Sequence, residues 1–287
     1  MTYEMIDLTR QAATSHWGWT IAFFLWFVGL AGMGLFLNYW LKSKRVFFIC
    51  TVSAILGTLL VVSHLARMLN LPMAVINSLL EWKFNFTSWM FIGICILSVL
   101  CIATVVVSWL LSKGRDELLS GPPALFNAVL GVAATAYSGF LLTQAAGVPL
   151  WNTAALPVLW VASGLACAVG LVEVLTAANR LEGGHRSWVP TTATLVHIGE
   201  AFVLFAFVQA AFFGTPGANA GANALWSGSE AMLFWGGAVG LGIVVPMILS
   251  AVKNHTAALA GGVCALVGAL CLRASVLFAG YFEPIIF

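Results

Sequence analysis

WGWTIAFFLWFVGLAGMGLFLNYW, residues 17–40, carries no acidic or basic side chain from end to end. At ~1.5 Å per residue a helix of this length reaches ~36 Å, enough to cross the ~30 Å hydrocarbon layer of a bilayer. Seven further apolar runs follow it, at 46–69, 87–111, 123–145, 152–178, 189–213, 229–252 and 256–281. Only 8% of the residues are charged and 61% are hydrophobic, whereas soluble domains carry roughly 25% charged residues. The sequence therefore predicts an all-α integral membrane protein, one membrane domain over 1–287, with eight transmembrane helices in a bundle.

The breaks between runs are short and polar. They include Lys42-Ser43-Lys44-Arg45, Lys113-Gly114-Arg115-Asp116-Glu117, the turn bearing Pro149, the segment from Arg180 to Arg186, the Gly/Asn/Ala stretch 214–228, and Lys253-Asn254-His255. None has room for a folded extramembrane domain. Glu4, Asp7 and Arg10 precede the first run without a cleavable signal pattern, so the first helix is expected to be retained. The loops after runs 1, 3, 5 and 7 hold Lys42, Lys44, Arg45, Lys113, Arg115, Arg180, Arg186 and Lys253, against Arg10, Arg67 and Lys83 on the other side. Positive loops stay in the cytoplasm, so both termini are expected to face outward, into a periplasm in a bacterium. With a formal charge of +2 and no dense basic face, nucleic acid is not an expected partner.

Cys50, Cys95, Cys101, Cys167, Cys264 and Cys271 all fall within or at the edge of the runs, and no Cys-x-x-Cys pair occurs. Cluster and zinc ligands come as grouped thiolates, so these read as small core residues and no metal or iron–sulfur cluster is expected in this protein. Gly29, Gly32 and Gly34 in the first run, and Gly236, Gly240 and Gly242 in the seventh, read as points of close helix contact.

Function is expected at the polar residues inside the runs. A charged side chain at mid-bilayer costs roughly 2.5–3.5 kcal/mol, so Glu173, Glu200 and Arg273 need compensation. Alternating helix directions sort the polar residues by depth. His16, His64, Arg67, Tyr137, Gln144, Trp151, Asn152 and Arg273 fall in the outward half. Glu173 falls in the inward half, and His197 and Glu200 run from there towards the middle. Helical spacing pairs His64 with Arg67, Tyr137 with Gln144, and His197 with Glu200.

The run Tyr137-Ser138-Gly139-Phe140-Leu141-Leu142, followed by Pro149-Leu150-Trp151-Asn152, Leu156-Pro157-Val158-Leu159 and Ser163-Gly164-Leu165, resembles the NrfD/polysulfide reductase membrane-subunit family. Trp17-Gly18-Trp19-Thr20 leading to Gly29-Leu30-Ala31-Gly32, and Arg273 with Ala279-Gly280, extend the resemblance to both ends. It implies a quinone-reactive anchor in a bacterial inner membrane. A periplasmic ferredoxin-like subunit with four iron–sulfur clusters and a molybdopterin-containing catalytic subunit would dock on its outer face. It also implies that Tyr137 meets the head group of a menaquinone or ubiquinone. The sequence departs from the family where relatives read Asp-Leu-Gly-Arg-Pro and this one reads His64-Leu65-Ala66-Arg67-Met68, and where Ile21 and Phe24 replace an Asn and a His. The segment 74–79 is closer to the dimethyl sulfoxide reductase anchor branch.

Quinol oxidation releases two electrons and two protons, so both ring oxygens need hydrogen-bond partners and a base must accept protons near neutral pH. Tyr137 and Gln144 suit the first task and His64 the second. Arg67 or Arg273 supplies a cation, and His16 lies at the interface nearby. Glu173, His197 and Glu200 would form a proton path from the cytoplasm. Two other classes remain open. A di-haem anchor needs facing histidines at equal depth, whereas His64 and His197 fall in opposite halves, so haem is not expected. A secondary transporter would use Pro157 and Pro246 to break helices near the midplane.

Overall fold

The computed structural model describes residues 14–284, apart from 16, 65–72, 74, 75, 79, 83, 183–187 and 253. Eight helices among the described residues are long and apolar enough to span a membrane: α1 (Trp19–Leu41), α2 (Lys44–Ser63), α3 (Trp89–Ser112), α4 (Gly121–Thr143), α5 (Ala155–Ala177), α6 (Val189–Phe212), α8 (Met232–Ala251) and α9 (His255–Phe278). Most ends fall within three residues of the hydropathy limits. The second run is the exception, because α2 ends at Ser63, capped by His64, while residues 65–69 of that run lie outside the described residues.

The α1–α2 turn shows how the sequence sets such ends. Lys42 takes the left-handed conformation (φ 54°) that stops α1, and its amide returns to Asn38 O. Ser43 then caps α2 by accepting from the Val46 amide, while the Asn38 side chain accepts from the Ser43 amide at 2.9 Å. The Glu182 carboxylate accepts from the Ser43 hydroxyl (2.7 Å) and the Arg45 amide (3.2 Å), tying the loop after α5 to the start of α2. A Lys44–Asp116 pair at 2.6 Å adds the loop after α3.

Helices α1 to α4 form one closed ring of neighbours, α5, α6, α8 and α9 form another, and α1, α4, α5 and α9 make the seam between them. Lipid is as apolar as leucine, so helices associate here by close backbone approach. A Cβ on Gly32 would stand 2.2 Å from Gly131 O on α4, so α1 and α4 touch main chain to main chain. Of the seventh-run glycines, only Gly242 makes such a contact, against Gly268 of α9; Gly236 faces open space and Gly240 faces its own helix. Gly237, which packs on Cys271, takes the place expected of Gly236.

The first thirteen residues of α8, Met232–Val244, wind as a π-helix, which passes into an α-helix at Val245. Pro246 supplies a reason. It lacks an amide hydrogen and crowds the carbonyl four residues back, and a wider turn relieves both faults. The span remains continuous, so Pro246 does not break it. Pro157 lies in the first turn of α5 and does not break that helix either.

A short helix, α7 (Pro216–Trp226), occupies the stretch that reads in the sequence as a plain polar break. The Glu283 carboxylate accepts from the Thr215 hydroxyl (2.6 Å) and the Gly217 amide (3.0 Å), fastening the C-terminal tail to its start. Thr14 pairs with Tyr281, and the Ser15 amide donates to Gly280 O. The first span thus begins where the last one finishes, and the first and last described residues lie at one end of the bundle. The opposite, basic end carries Lys42, Lys44, Arg45, Lys113, Arg115 and Arg180.

Candidate functional site

Tyr137 lies six residues before the end of α4, about 9 Å inside the bundle. Its side chain is buried, and Gly93 of α3 makes the room: a Cβ there would fall 1.8 Å from both Cζ and the hydroxyl oxygen of the tyrosine. Trp89 and Phe140 stack at 4.7 Å one turn nearer the surface and close this α3–α4 contact towards the termini end. The hydroxyl is therefore held against bare backbone of a neighbouring span at modest depth.

His64 and Gln144, of the same outer set, do not share that burial. His64 is the exposed residue that ends α2, and Gln144 is exposed at the end of α4, its amide donating to the Thr143 hydroxyl at 3.3 Å. The seven-residue spacing to Tyr137 thus does not give the two side chains one environment. His16 and Arg67 lie outside the described residues.

Arg273 is enclosed completely at the seam. Its Nε donates to Leu25 O (3.1 Å), Nη1 to Ser163 Oγ (3.0 Å) and Ala269 O (2.9 Å), and Nη2 to Trp160 O (3.5 Å). The guanidinium also lies over the Trp160 ring at 5.6 Å. Gly29 admits it, since a Cβ there would be 2.5 Å from Nη2. Three carbonyls and a hydroxyl from α1, α5 and α9 replace the water a guanidinium loses on burial, which resolves how the charge is tolerated. Tyr137 meets α3 while Arg273 meets α1 and α5, so these two residues are not brought together.

The inner set does converge. His197 Nδ1 lies 3.5 Å from Glu200 Oε2, one helical turn apart on α6, and both side chains are buried. Neither imidazole nitrogen has a hydrogen-bond partner, nor does that carboxylate oxygen. Glu173 of α5 lies within electrostatic reach of His197, and Glu200 within reach of Arg273. Glu173 lines a cavity of 640 Å³ at the basic end, together with Thr191, Ser250, Asn254 and His255. Thr194, one turn before His197 on α6, shares a hydrogen bond with Ser250 at 3.2 Å. Thr191, Thr194, His197 and Glu200 follow at three-residue steps, each about 60° further round α6, so the polar series winds from exposed Thr191 at the cavity to buried Glu200 at mid-span, about 16 Å in. Beyond Glu200 the buried face of α6 turns apolar with Leu204, Phe207, Val208 and Ala211.

Sequence reasoning missed Gly93, Ser163, Trp160, Thr191, Thr194 and Ser250. The two hydroxyls in this series, Thr191 and Thr194, carried a signal, since small polar residues one turn apart lead along α6 to an intramembrane His and Glu. Gly93 carried none, because its meaning lies in the ring across from it.

The residues behind the family resemblance are largely each other's partners. A Cβ on Gly139 would reach the Pro157 backbone at 2.4 Å, Trp151 Nε1 donates to Val276 O (2.9 Å) while its ring covers Gly280, and Ser163 and Gly29 both hold Arg273. Comparison with known proteins agrees. The family profile described as polysulphide reductase, NrfD, matches residues 7–284. The C subunit of polysulfide reductase from Wolinella succinogenes is 28% identical, the match covering 96% of the present sequence and 98% of that subunit. Protein NrfD of Escherichia coli is 29% identical over 92% of the present sequence and 94% of its own length, and the NrfD homolog of Haemophilus influenzae is 24% identical over 92% and 94%. With a profile match over nearly the whole length, on a bundle whose seam is built from the family's motif residues, this protein belongs to the NrfD/polysulphide reductase family of multi-pass membrane proteins.

Proposed function

We propose that this protein is the quinone-reactive membrane subunit of a respiratory oxidoreductase, with both termini and the Tyr137 end facing the periplasm. Quinol or quinone, menaquinone or ubiquinone, is its substrate. Electrons pass to or from a ferredoxin-like iron–sulfur subunit docked on the termini end, and a molybdopterin-containing subunit carries the terminal chemistry. The buried Tyr137 hydroxyl in the Gly93 slot is the observation that carries the reading. It supports the reading by offering a hydrogen-bonding group that is shielded from lipid and lies within one turn of a Trp–Phe stack.

In this scheme Tyr137 orients the head group by one hydrogen bond to a ring oxygen. His64, exposed at the end of α2, exchanges the proton with the outer solvent, and Gln144 with Arg67 and His16 completes the outer polar set. Arg273 acts from the seam by its field, as its donors are committed to carbonyls. The basic-end cavity and the Glu173, His197 and Glu200 row give protons a way from the cytoplasm to mid-membrane, which would make turnover electrogenic. The unpartnered nitrogens of His197 favour this use, since such atoms accept or pass a proton through intervening water.

Tyr137→Phe in the purified complex tests the proposal. Loss of one charge-assisted or buried hydrogen bond, ~1.5–3 kcal/mol, lowers kcat/KM for quinol by roughly 10–100-fold while the complex stays assembled. Unchanged quinol kinetics would overturn it.

A further inference from the structure

We infer that the connection between α2 and α3 lies in the lipid interface at the termini end of the bundle, its aromatic side chains seated between the headgroups and the first methylenes of the acyl chains. In the sequence, residues 70–86 are the break between the second and third apolar runs, yet Met73, Ile76, Leu80, Trp82 and Phe86 within it are apolar and exposed. Met73, Ile76 and Leu80 are all helical and stand three and four residues apart, so they share one face. Trp82, 83% exposed, follows in the left-handed conformation (φ 50°), where the helical stretch ends.

Contacts with α3 fix where these rings lie. Trp82 meets Phe84 edge-on at 6.0 Å, and Phe84 and Phe86 both meet Phe91, in the first turn of α3, at 5.9 and 5.6 Å. The face that α3 buries carries Gly93, Leu97, Leu100, Thr104 and Leu111. Phe91 precedes Leu100 by nine residues, which sets it half a turn away round the helix. It shares its stripe instead with Ile102 and Trp109, 64% and 60% exposed. The connection is thus folded out over the side of α3 that faces lipid. The 24 residues of α3 reach about 36 Å, some 6 Å more than the hydrocarbon layer, so its first turn stands at the boundary where aromatic rings are favoured. The turn into α3 also meets much of its own polar demand. Asn85 Oδ1 accepts from the Thr87 amide (3.2 Å) and hydroxyl (2.6 Å), the Ser88 amide donates to Asn85 O (3.1 Å), and the Phe91 amide donates to Ser88 Oγ (3.4 Å). The lipid face of α3 therefore continues into the connection, and bilayer lipid is the occupant that covers both. The inference stands apart from the quinone reading.

Nitroxide labels on Trp82→Cys and Phe86→Cys, in proteoliposomes of the full-length protein and in the assembled complex, test it. Ile102→Cys and Ser227→Cys serve as the lipid-facing and aqueous references, both positions being exposed. The parent protein, taken through the same labelling, supplies the blank for the native cysteines, and thermal unfolding of each variant checks that the fold is kept. Collision with dissolved oxygen, taken relative to collision with a water-soluble nickel chelate, should be at least about fivefold higher at 82 and 86 than at 227 and should approach the value at 102. A ratio at 82 and 86 equal to that at 227 would put the connection in water and overturn the inference. So would labels that are shielded from both reagents in the assembled complex, because a protein partner would then be the cover.

Discussion

Gly93→Ala is the sharpest perturbation of the Tyr137 site, because it adds one methyl group and touches one neighbour. The added carbon would stand 1.8 Å from the tyrosine's Cζ and hydroxyl oxygen. Ordinary contact needs about 3.5 Å, so the ring must withdraw by about 1.7 Å or α3 must move away. Forcing such a shift in a packed interior costs about 1–3 kcal/mol of stability. A displacement of about 1 Å at a reacting centre can cost 10²-fold in rate, so quinol turnover should fall by about that factor with KM and kcat both affected. Steady-state quinol oxidation by the assembled complex reads the loss, and its thermal unfolding separates misplacement from misfolding. The reasoning also fixes a double variant. Once Tyr137→Ala has removed the ring, Gly93→Ala has nothing to displace, and the pair should be no slower than Tyr137→Ala alone. A folded Gly93→Ala complex with native kinetics, or a double variant with additive losses, would refute the account of the slot.

Other consequences are as direct. Glu200→Gln in proteoliposomes should abolish charge movement coupled to turnover while leaving electron transfer measurable; retention of both would remove the proton path. Gly139→Ala drives a carbon to 2.4 Å from the Pro157 backbone, which cannot rotate away, so the protein should lose about 1–3 kcal/mol of stability and accumulate poorly by immunoblot. Arg273→Lys keeps the charge but supplies a single ammonium in place of the planar fork reaching three helices, and its melting temperature should drop several degrees. Cysteine introduced at exposed Ser227 should react with an impermeant maleimide from the periplasm and one at exposed Glu117 only after the membrane is opened; the reverse pattern would invert the topology.

The bundle was legible in the sequence because lipid imposes one rule, long apolar runs, and each of the eight obeys it. The inner polar set was legible for the converse reason: Glu173, His197 and Glu200 violate the rule. What was hidden depends on partners. Gly93 and Gly242 resemble Gly199 and Gly236 in sequence, yet the first two receive a ring or a backbone while the last two face open space. The short α7 was hidden by its composition, since its glycines, asparagines and alanines form a weak helix that the tail at Glu283 and the packing of Gly221 on Ala279 O hold in place. Arg273 was correctly marked as costly, but its depth alone could not separate a group facing substrate from one wrapped in carbonyls.

That wrapping constrains how the protein can work. A single side chain rivets three helices from both rings at their shared wall, using acceptors that belong to the backbone and cannot swing aside. Hinged halves that open alternately to the two aqueous phases would have to tear this rivet out at every cycle. On the proposed function the frame keeps its shape, and what crosses it need be no larger than electrons at one end and hydrons at the other.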